Sequence, residues 1–190
     1  MGQARVMTTA EVRRVLDYVA TRPHAARNRA LVLMSHWAGL RAKEIAALRC
    51  CDVVDGAGRV KEEVLLSVEQ TKGKRGRVVY LGTKIRKELA TYLRACPPRS
   101  DAAPLFPTQK APTRGFTANT MAQFFHKLYK EAGIEGASSH SGRRSYLTTL
   151  ADKGTSIHIL KTLAGHQSIS TTAVYLFSSP SQLKAAADLI

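Results

Sequence analysis

The chain has 190 residues, of which 44% are apolar and 23% charged, an ordinary composition for a folded domain. A chain of this length buries enough apolar surface to fold without disulfides, and its composition excludes wholesale disorder. Lys and Arg total 29 against 14 Asp and Glu, a net charge of +15. We therefore expect a polyanionic partner, of which nucleic acid is the commonest. A basic surface that serves solubility alone, or a ribosome-associated role, is the alternative explanation of the charge.

The sequence contains no pattern typical of membrane insertion or of a disulfide framework. No apolar run approaches the roughly 18 residues of a membrane span, and the N-terminus lacks the basic and apolar segments of a secretory signal. Cys50, Cys51 and Cys96 leave one thiol over in any pairing. We therefore expect a cytoplasmic protein in a reducing compartment, with no membrane partner.

The first part of the chain predicts three helices. Thr8-Thr9-Ala10-Glu11 is a capping-box pattern, and apolar residues follow it at helical spacing. A second helix is predicted over Arg27 to Ala38, apolar on most sides and hence buried. Gly39 ends this helix, and Ala42 to Leu48 predicts a third.

The apolar period then changes from helix to strand and back. Val64 to Val68 and Val78 to Leu81 predict two strands of a hairpin, with Lys72 to Gly76 in the turn. Thr83 to Ala95 predicts a helix, and the proline-rich residues 96–115 predict an irregular connection. Further helices are predicted at about 117–132, 141–153, 156–164, 170–177 and 181–190. This pattern indicates an α+β fold that is mainly α-helical, with a small antiparallel β-sheet.

Several basic, imidazole and phenol side chains occur where structure alone does not demand them. They are Arg41, Lys72, His140, Arg143, His166 and Tyr175. Taken one at a time, each is more often structural: a solvated arginine, a basic turn, a capping histidine or a core tyrosine. His140 and Arg143 are three residues apart and therefore share a helix face.

The order of these residues resembles the catalytic domain of the tyrosine recombinases, the phage integrase and Xer family. The resemblance lies in Gly-Leu-Arg41 with Glu44, the hairpin lysine Lys72, His140-x-x-Arg143, and Leu-Ala-Gly-His166 followed by Tyr175. It covers roughly residues 8 to 180 and implies the fold of DNA breaking-rejoining enzymes. Residues 1–180 would form this domain, and residues 181–190 a C-terminal tail helix that protomers can exchange.

The resemblance implies a site-specific recombinase or integrase that cleaves and rejoins DNA through a covalent 3′-phosphotyrosyl intermediate. Tyr175 would be the nucleophile, and a phenol with a pKa near 10 is only about 0.1% ionised at neutral pH. It therefore needs a base, for which His140 is the candidate, and a positive field. Lys72 would protonate the leaving 5′ oxygen, and Lys74 is the competitor for this role because turn registers slip.

Arginine suits the other part of this chemistry because it offers paired donors to phosphate oxygens in a geometry that lysine cannot match. By the resemblance, Arg41 and Arg143 would bind the non-bridging oxygens, with His166 as a third donor. Glu44 would orient a basic group of the site without taking part in the reaction itself. The residues that would contact the DNA are Lys74, Arg75, Arg77 and Arg144, and the helix at 117–132 is the candidate for a groove.

No cofactor is expected. The sequence lacks an acidic cluster for Mg²⁺, the Cys/His spacing of a zinc site and a Walker loop for ATP. By the resemblance, the reaction requires no metal, and it needs no ATP because the phosphotyrosyl bond conserves the energy of the phosphodiester. By the resemblance, the partner is double-stranded DNA, on which the chain would form a homotetramer, with a monomer in free solution and a bacterial or phage source.

Two departures from the family pattern stand out. Most members carry a helical core-binding domain before the catalytic domain, and here the first helix begins by residue 8, so we expect that domain to be absent. The chain would be either a fragment of a longer integrase or a naturally short recombinase. Gly142 occupies a position often filled by an apolar residue, and we expect it to alter helix packing more than chemistry.

Two other functions compete with recombination. A related single-strand topoisomerase would use the same tyrosine chemistry to relax DNA without partner sites. A non-enzymatic DNA-binding regulator would keep the fold without the chemistry, but the complete set of candidate catalytic residues argues against it.

Overall fold

The computed structural model describes residues 4–71, 75–109, 111, 113–176 and 187. It divides into two compact units, Met1–Tyr146 and Leu147–Ile190. Lys72 and Lys74, at the tip of the predicted hairpin, lie outside the described residues. So does the predicted tail helix 181–190, apart from Ala187.

The described residues form helices and one two-stranded antiparallel sheet, as predicted. In chain order the elements are α1 (Thr9–Ala20), α2 (Ala25–Ala38), α3 (Ala42–Ala47), α4 (Cys50–Val53), β1 (Glu63–Leu66), β2 (Arg77–Tyr80), α5 (Thr83–Ala95), α6 (Ala118–Glu131), α7 (Ser141–Asp152), α8 (Ile157–Ala164) and α9 (Ile169–Ala173). The short α4 was not predicted. The helix predicted at 170–177 ends earlier, at Ala173, so Tyr175 lies in the turn that follows it.

The predicted capping box begins α1. The Thr8 hydroxyl accepts a hydrogen bond from the Glu11 backbone N–H at 3.2 Å, and the Glu11 carboxylate accepts one from the Thr8 N–H at 2.9 Å. These bonds satisfy two donors that a helix start otherwise leaves open. The apolar face of α1 then buries Val12, Val15 and Val19.

Helix α2 is the centre of the first unit's core. Leu31 to Met34 are fully buried, because the middle of the helix is apolar on most sides and packs against α1 and α5. Helix α3 packs against α6. The part of the candidate site that belongs to this unit lies at the end of α2, the helix with the most buried residues among those described in the unit.

The hairpin pairs Glu63 with Tyr80 and Leu66 with Arg77, so β1 and β2 meet over their full lengths. Val64, Leu66 and Val79 are buried and belong to the core. This register puts Arg77 at the turn-side end of β2.

The long connection at 96–115 is irregular, as predicted, but it is tied to the core. Leu105 and Phe106 are buried, and the Tyr92 hydroxyl donates to the Leu105 carbonyl at 2.7 Å. Bridges join Arg49 to Pro104 and Pro107 to Gly115.

The second unit contains the end of α7 with α8 and α9, and α8 packs against α9. The Ser156 hydroxyl caps α8 by accepting from the Ile159 N–H, and Gly165 ends it with a φ of 58°. That left-handed conformation suits glycine, which has no Cβ to clash. No helix in the described part of the chain is long and apolar enough to cross a membrane.

Candidate active site

Gly39 turns the chain from α2 toward Arg41. Its φ is +64°, and a Cβ built there would lie 2.4 Å from Cδ1 of Tyr146. Both the backbone conformation and the contact with the Tyr146 ring therefore require glycine. The turn places Arg41 at the N-terminus of α3, as the residue that caps the helix.

Glu44 is a fully buried carboxylate between two arginines. One oxygen, Oε2, accepts from the Arg41 backbone N–H at 2.7 Å and from Arg77 Nη2 at 2.7 Å. The other, Oε1, accepts from Arg41 Nη1 at 2.9 Å and Arg77 Nε at 3.0 Å. These contacts are those expected of a residue that orients Arg41.

Burial by itself would raise the pKa of the Glu44 carboxyl. The hydrogen bonds and charge of Arg77, followed by those of Arg41, outweigh burial and lower this pKa to about 2. Glu44 is therefore a carboxylate at neutral pH.

Arg77, which the sequence analysis gives as a DNA contact, lies largely inside the first unit. Its side chain is only 9% exposed, and its Nε and Nη2 grip both oxygens of Glu44. A guanidinium engaged in this way is poorly placed to reach a DNA backbone from outside. Arg77 and Glu44 are far apart in the sequence, so no local pattern predicts that they pair.

Arg143 reaches the same turn from α7. It is 4% exposed, and its Nη1 donates to the Gly39 carbonyl at 2.6 Å. The carbonyl it binds lies two residues before Arg41. The first unit thus holds the guanidinium groups of Arg41 and Arg143 at one short segment, Arg143 through the Gly39 carbonyl and Arg41 through the Glu44 carboxylate.

Tyr146 was not singled out by the sequence, yet it lies among these groups. Its ring packs on Gly39. Burial raises the pKa of its phenol, while the positive charges of Arg77 and Arg143 act in the opposite direction. Tyr146 therefore has a structural role: its ring packs against the turn that holds the arginines.

His140 and Arg144 lie at the start of α7. His140 is exposed, and its carbonyl accepts from the Arg144 N–H at 2.9 Å. Arg144 is partly buried, whereas Arg75, beside the hairpin tip, is exposed.

At Gly142, α7 lies so close to α2 that there is no room for a side chain. A Cβ at this position would lie 2.5 Å from the Ser35 hydroxyl oxygen and 2.9 Å from its Cβ. This agrees with the prediction that Gly142 affects helix packing.

In the second unit, His166 and Tyr175 lie close together. Their ring centroids are 6.0 Å apart and the rings are nearly parallel, at 16°. His166 Nδ1 lies 3.0 Å from the hydroxyl of Thr172, which is fully buried. This contact, which sequence reasoning missed, orients the imidazole through Nδ1.

Four of the six tyrosines are poor candidates for a nucleophile. Burial raises the phenol pKa of Tyr92, Tyr129 and Tyr146. A hydrogen bond to Glu131 is the main cause that raises the pKa of Tyr18. Each of these environments opposes formation of the phenolate.

The predicted site residues fall in different parts of the structure, and some of them are not described. Arg41, Glu44, His140 and Arg143 are in the first unit, and His166 and Tyr175 in the second; Lys72 and Lys74 are not described. Within the described residues, no group of three His, Cys, Asp or Glu side chains is arranged to hold a metal ion. The cysteines are free thiols.

Comparison with known proteins gives a consistent result. Residues 5–182 match the model of the phage integrase family. The putative integrase/recombinase y4rF of Sinorhizobium fredii is 34% identical over 178 residues, covering 91% of this chain and 40% of the relative. The tyrosine recombinase XerA of Thermococcus kodakarensis is 31% identical over 173 residues, covering 90% of this chain and 57% of the relative. The chain therefore spans about half the length of these curated relatives.

Solved structures have the same fold. A crystal structure of XerA recombinase superposes with a TM-score of 0.75 at 22% identity, over 100% of this chain and 66% of the other. The integrase of transposon Tn1549, in complex with transposon right end DNA, gives a TM-score of 0.75 at 16% identity, over 100% and 67%. With the ordered motifs and the arginine cluster at Gly39, these matches establish that the chain belongs to the phage integrase family and has the fold of a tyrosine recombinase catalytic domain.

Proposed function

We propose that this chain is the catalytic part of a site-specific DNA recombinase. It cleaves and rejoins DNA strands through a 3′-phosphotyrosyl intermediate, and its own side chains supply the chemistry without metal or ATP. The observation that carries the proposal is the anchoring of Arg41 and Arg143 at one turn. Arg143 bonds to the Gly39 carbonyl, and Arg41 is oriented by the buried carboxylate of Glu44, three residues further on.

Two guanidinium groups held in this way suit phosphoryl transfer. The non-bridging oxygens of a five-coordinate phosphorus carry extra negative charge, and arginine presents paired donors to such oxygens. Donors that are already positioned for developing charge need no reorganisation during the reaction, and one such contact is worth about 3–4 kcal/mol in a studied case.

Tyr175 is the proposed nucleophile. Its phenol oxygen bonds to the phosphorus as the bond from phosphorus to the 5′ oxygen breaks, and the 5′ hydroxyl of another strand reverses the step. His140 is the proposed base that takes the phenol proton, and Lys72, with Lys74 as the alternative, gives a proton to the leaving oxygen. With His166 Nδ1 turned to Thr172, Nε2 is the nitrogen that would donate to the phosphate.

Double-stranded DNA is the proposed substrate. The net charge of +15 supports it, and so does the exposure of Arg75; Lys74 and Arg144 are further proposed contacts. The buried face of α6 leaves a polar face exposed, which includes Asn119, Gln123, His126 and Lys130. Asn and Gln side chains can read adenine in a major groove.

The assembly follows from the same proposal. We propose a homotetramer on DNA and a monomer in free solution, with residues 181–190 exchanged between protomers. Residues 1–180 act as the catalytic domain, in the cytoplasm of a bacterium or in cells that a phage infects.

Covalent trapping on a nicked duplex that bears the candidate site tests the proposal. The nick lets the short cleaved piece diffuse away, so the protein–DNA adduct accumulates and survives SDS on a denaturing gel. We expect an adduct from the wild type and from Tyr80→Phe, which removes an exposed tyrosine, but none from Tyr175→Phe.

An adduct that persists in Tyr175→Phe would refute the assignment of the nucleophile. If neither this chain nor a longer protein with the N-terminal region forms an adduct, the recombinase proposal fails and a DNA-binding role remains. Relaxation of a supercoiled plasmid that lacks the site would instead indicate a topoisomerase.

A further inference from the structure

Resting on the proposed function, we propose that Arg77 is a positioning residue for catalysis. Its guanidinium holds the buried carboxylate of Glu44, so that Arg41 is oriented by this carboxylate and still serves the DNA phosphate. Arg77 would thus act on the reaction through Arg41, without touching the substrate.

The two arginines bind Glu44 differently. Arg77 engages it in a bidentate pair, Nε to Oε1 at 3.0 Å and Nη2 to Oε2 at 2.7 Å. Arg41 contributes its backbone N–H and Nη1. The side chain of Arg77 is 9% exposed and that of Arg41 is 21% exposed. Arg77 therefore lies on the inner side of the carboxylate, and Arg41 on the side open to a ligand.

Electrostatics explains why this division matters. A fully buried carboxylate is costly unless cations and hydrogen bonds compensate it. Without Arg77, the attraction of Glu44 would fall on Arg41 and draw its guanidinium toward the carboxylate, away from a phosphate. A misplacement of about 1 Å in a reacting group can cost about 100-fold in rate.

Arg77 is itself held by regular structure. It pairs with Leu66 across the hairpin, and α3 also binds the segment that follows β1. Lys43 Nζ donates to the Thr71 carbonyl at 2.6 Å, while the Thr71 hydroxyl donates to the Arg75 carbonyl at 2.6 Å. Consecutive residues of α3, Lys43 and Glu44, therefore bind the hairpin on both sides of its turn, at Thr71 and at Arg77. Arg77 thus has a fixed position from which to act.

Single-turnover cleavage by the full chain with Arg77→Gln tests the inference. The matched control is Arg29→Gln, because Arg29 forms a similar bidentate pair with Glu88 at 2.8 and 2.6 Å, elsewhere in the same unit. Each protein is assayed on a normal phosphodiester and on a methylphosphonate, in which a methyl group replaces one oxygen and removes the charge. Arg41→Ala is assayed alongside.

We expect Arg77→Gln to cleave the phosphodiester about 10- to 100-fold more slowly than the wild type. On the methylphosphonate this loss should shrink at least several-fold, as we also expect for Arg41→Ala, because the charge that Arg41 neutralises is gone. The cleavage rate of Arg29→Gln relative to the wild type should be the same on both substrates. An equal loss on both substrates, or no loss on the phosphodiester, would overturn the inference while leaving the recombinase function intact.

A measurement without DNA keeps the inference testable if the wild type forms no adduct. The guanidinium Nε–H signal of Arg41, assigned by its disappearance in Arg41→Lys, is followed by ¹⁵N NMR. We expect it to shift in Arg77→Gln and to stay in place in Arg29→Gln. An unchanged Arg41 signal in Arg77→Gln would also overturn the inference.

Discussion

Replacement of Glu44 by glutamine should destabilise the first unit strongly at neutral pH and much less in acid. Glutamine keeps the size of the side chain but removes the charge that two guanidinium groups face. Removing one partner of a buried ion pair costs about 3–5 kcal/mol, because the remaining charge is left uncompensated.

The pH dependence can be worked out from the carboxyl group itself. Its pKa is about 2 in the folded protein against 4.5 for an ordinary glutamate. Because folding lowers this pKa, Glu44 contributes its full stabilisation above about pH 4.5 and loses it as the pH falls toward 2. Each pH unit between the two values is worth about 1.4 kcal/mol, so the contribution is about 3 kcal/mol. The difference between wild type and Glu44→Gln should shrink by this amount between pH 5 and pH 2.

Urea unfolding measured at several pH values provides the assay. Trp37 is the only tryptophan in the sequence and packs against the core of the first unit, so its fluorescence reports on the unit that contains Glu44. Other acidic groups titrate in both proteins, and their effect cancels in the difference.

Glu88→Gln is the control for this prediction. Glu88 binds Arg29, which lowers its pKa, but it is more exposed than Glu44, so water screens the pair and the effect should be smaller. A wild type–Glu44→Gln difference that is equal at pH 5 and pH 2.5, or no larger than that of Glu88→Gln, would refute the reasoning.

Three further changes test other parts of the structure. Gly39→Ala should destabilise the protein by about 2–5 kcal/mol, since it strains a left-handed backbone and crowds the Tyr146 ring; an unchanged melting temperature would contradict this. Thr172→Val should slow adduct formation about tenfold, the equivalent of one lost hydrogen bond to the His166 imidazole of the proposed site, whereas Thr171→Val, at an exposed position, should not; equal rates for the two variants would remove Thr172 from the proposed site. Thr8→Ala should cost about 1 kcal/mol of unfolding free energy through loss of the α1 cap, and a neutral result in urea unfolding would show that the capping box is dispensable.

Local patterns predicted most of the elements. The capping box at Thr8, the glycine stop at Gly39 and the alternation in the hairpin each depend on residues a few positions apart. One boundary was predicted wrongly. Helix α9 ends at Ala173, and the chain turns there so that the Tyr175 N–H bonds to the Thr172 carbonyl. Most residues of this segment are weak helix formers, so the predicted helix was too long.

The sequence by itself determined the family, the order of the candidate catalytic residues and the mainly helical fold, because motifs and apolar periods are written along the chain. Only the tertiary structure decided what surrounds those residues. Arg77 is 33 positions from Glu44, and Arg143 is 104 positions from Gly39. The partner of a buried charge can be any residue that folding brings next to it. Such a pairing therefore leaves no local pattern in the sequence. Arg77 therefore reads as a surface cation in the sequence, but in the structure it is the inner partner of the carboxylate that orients Arg41.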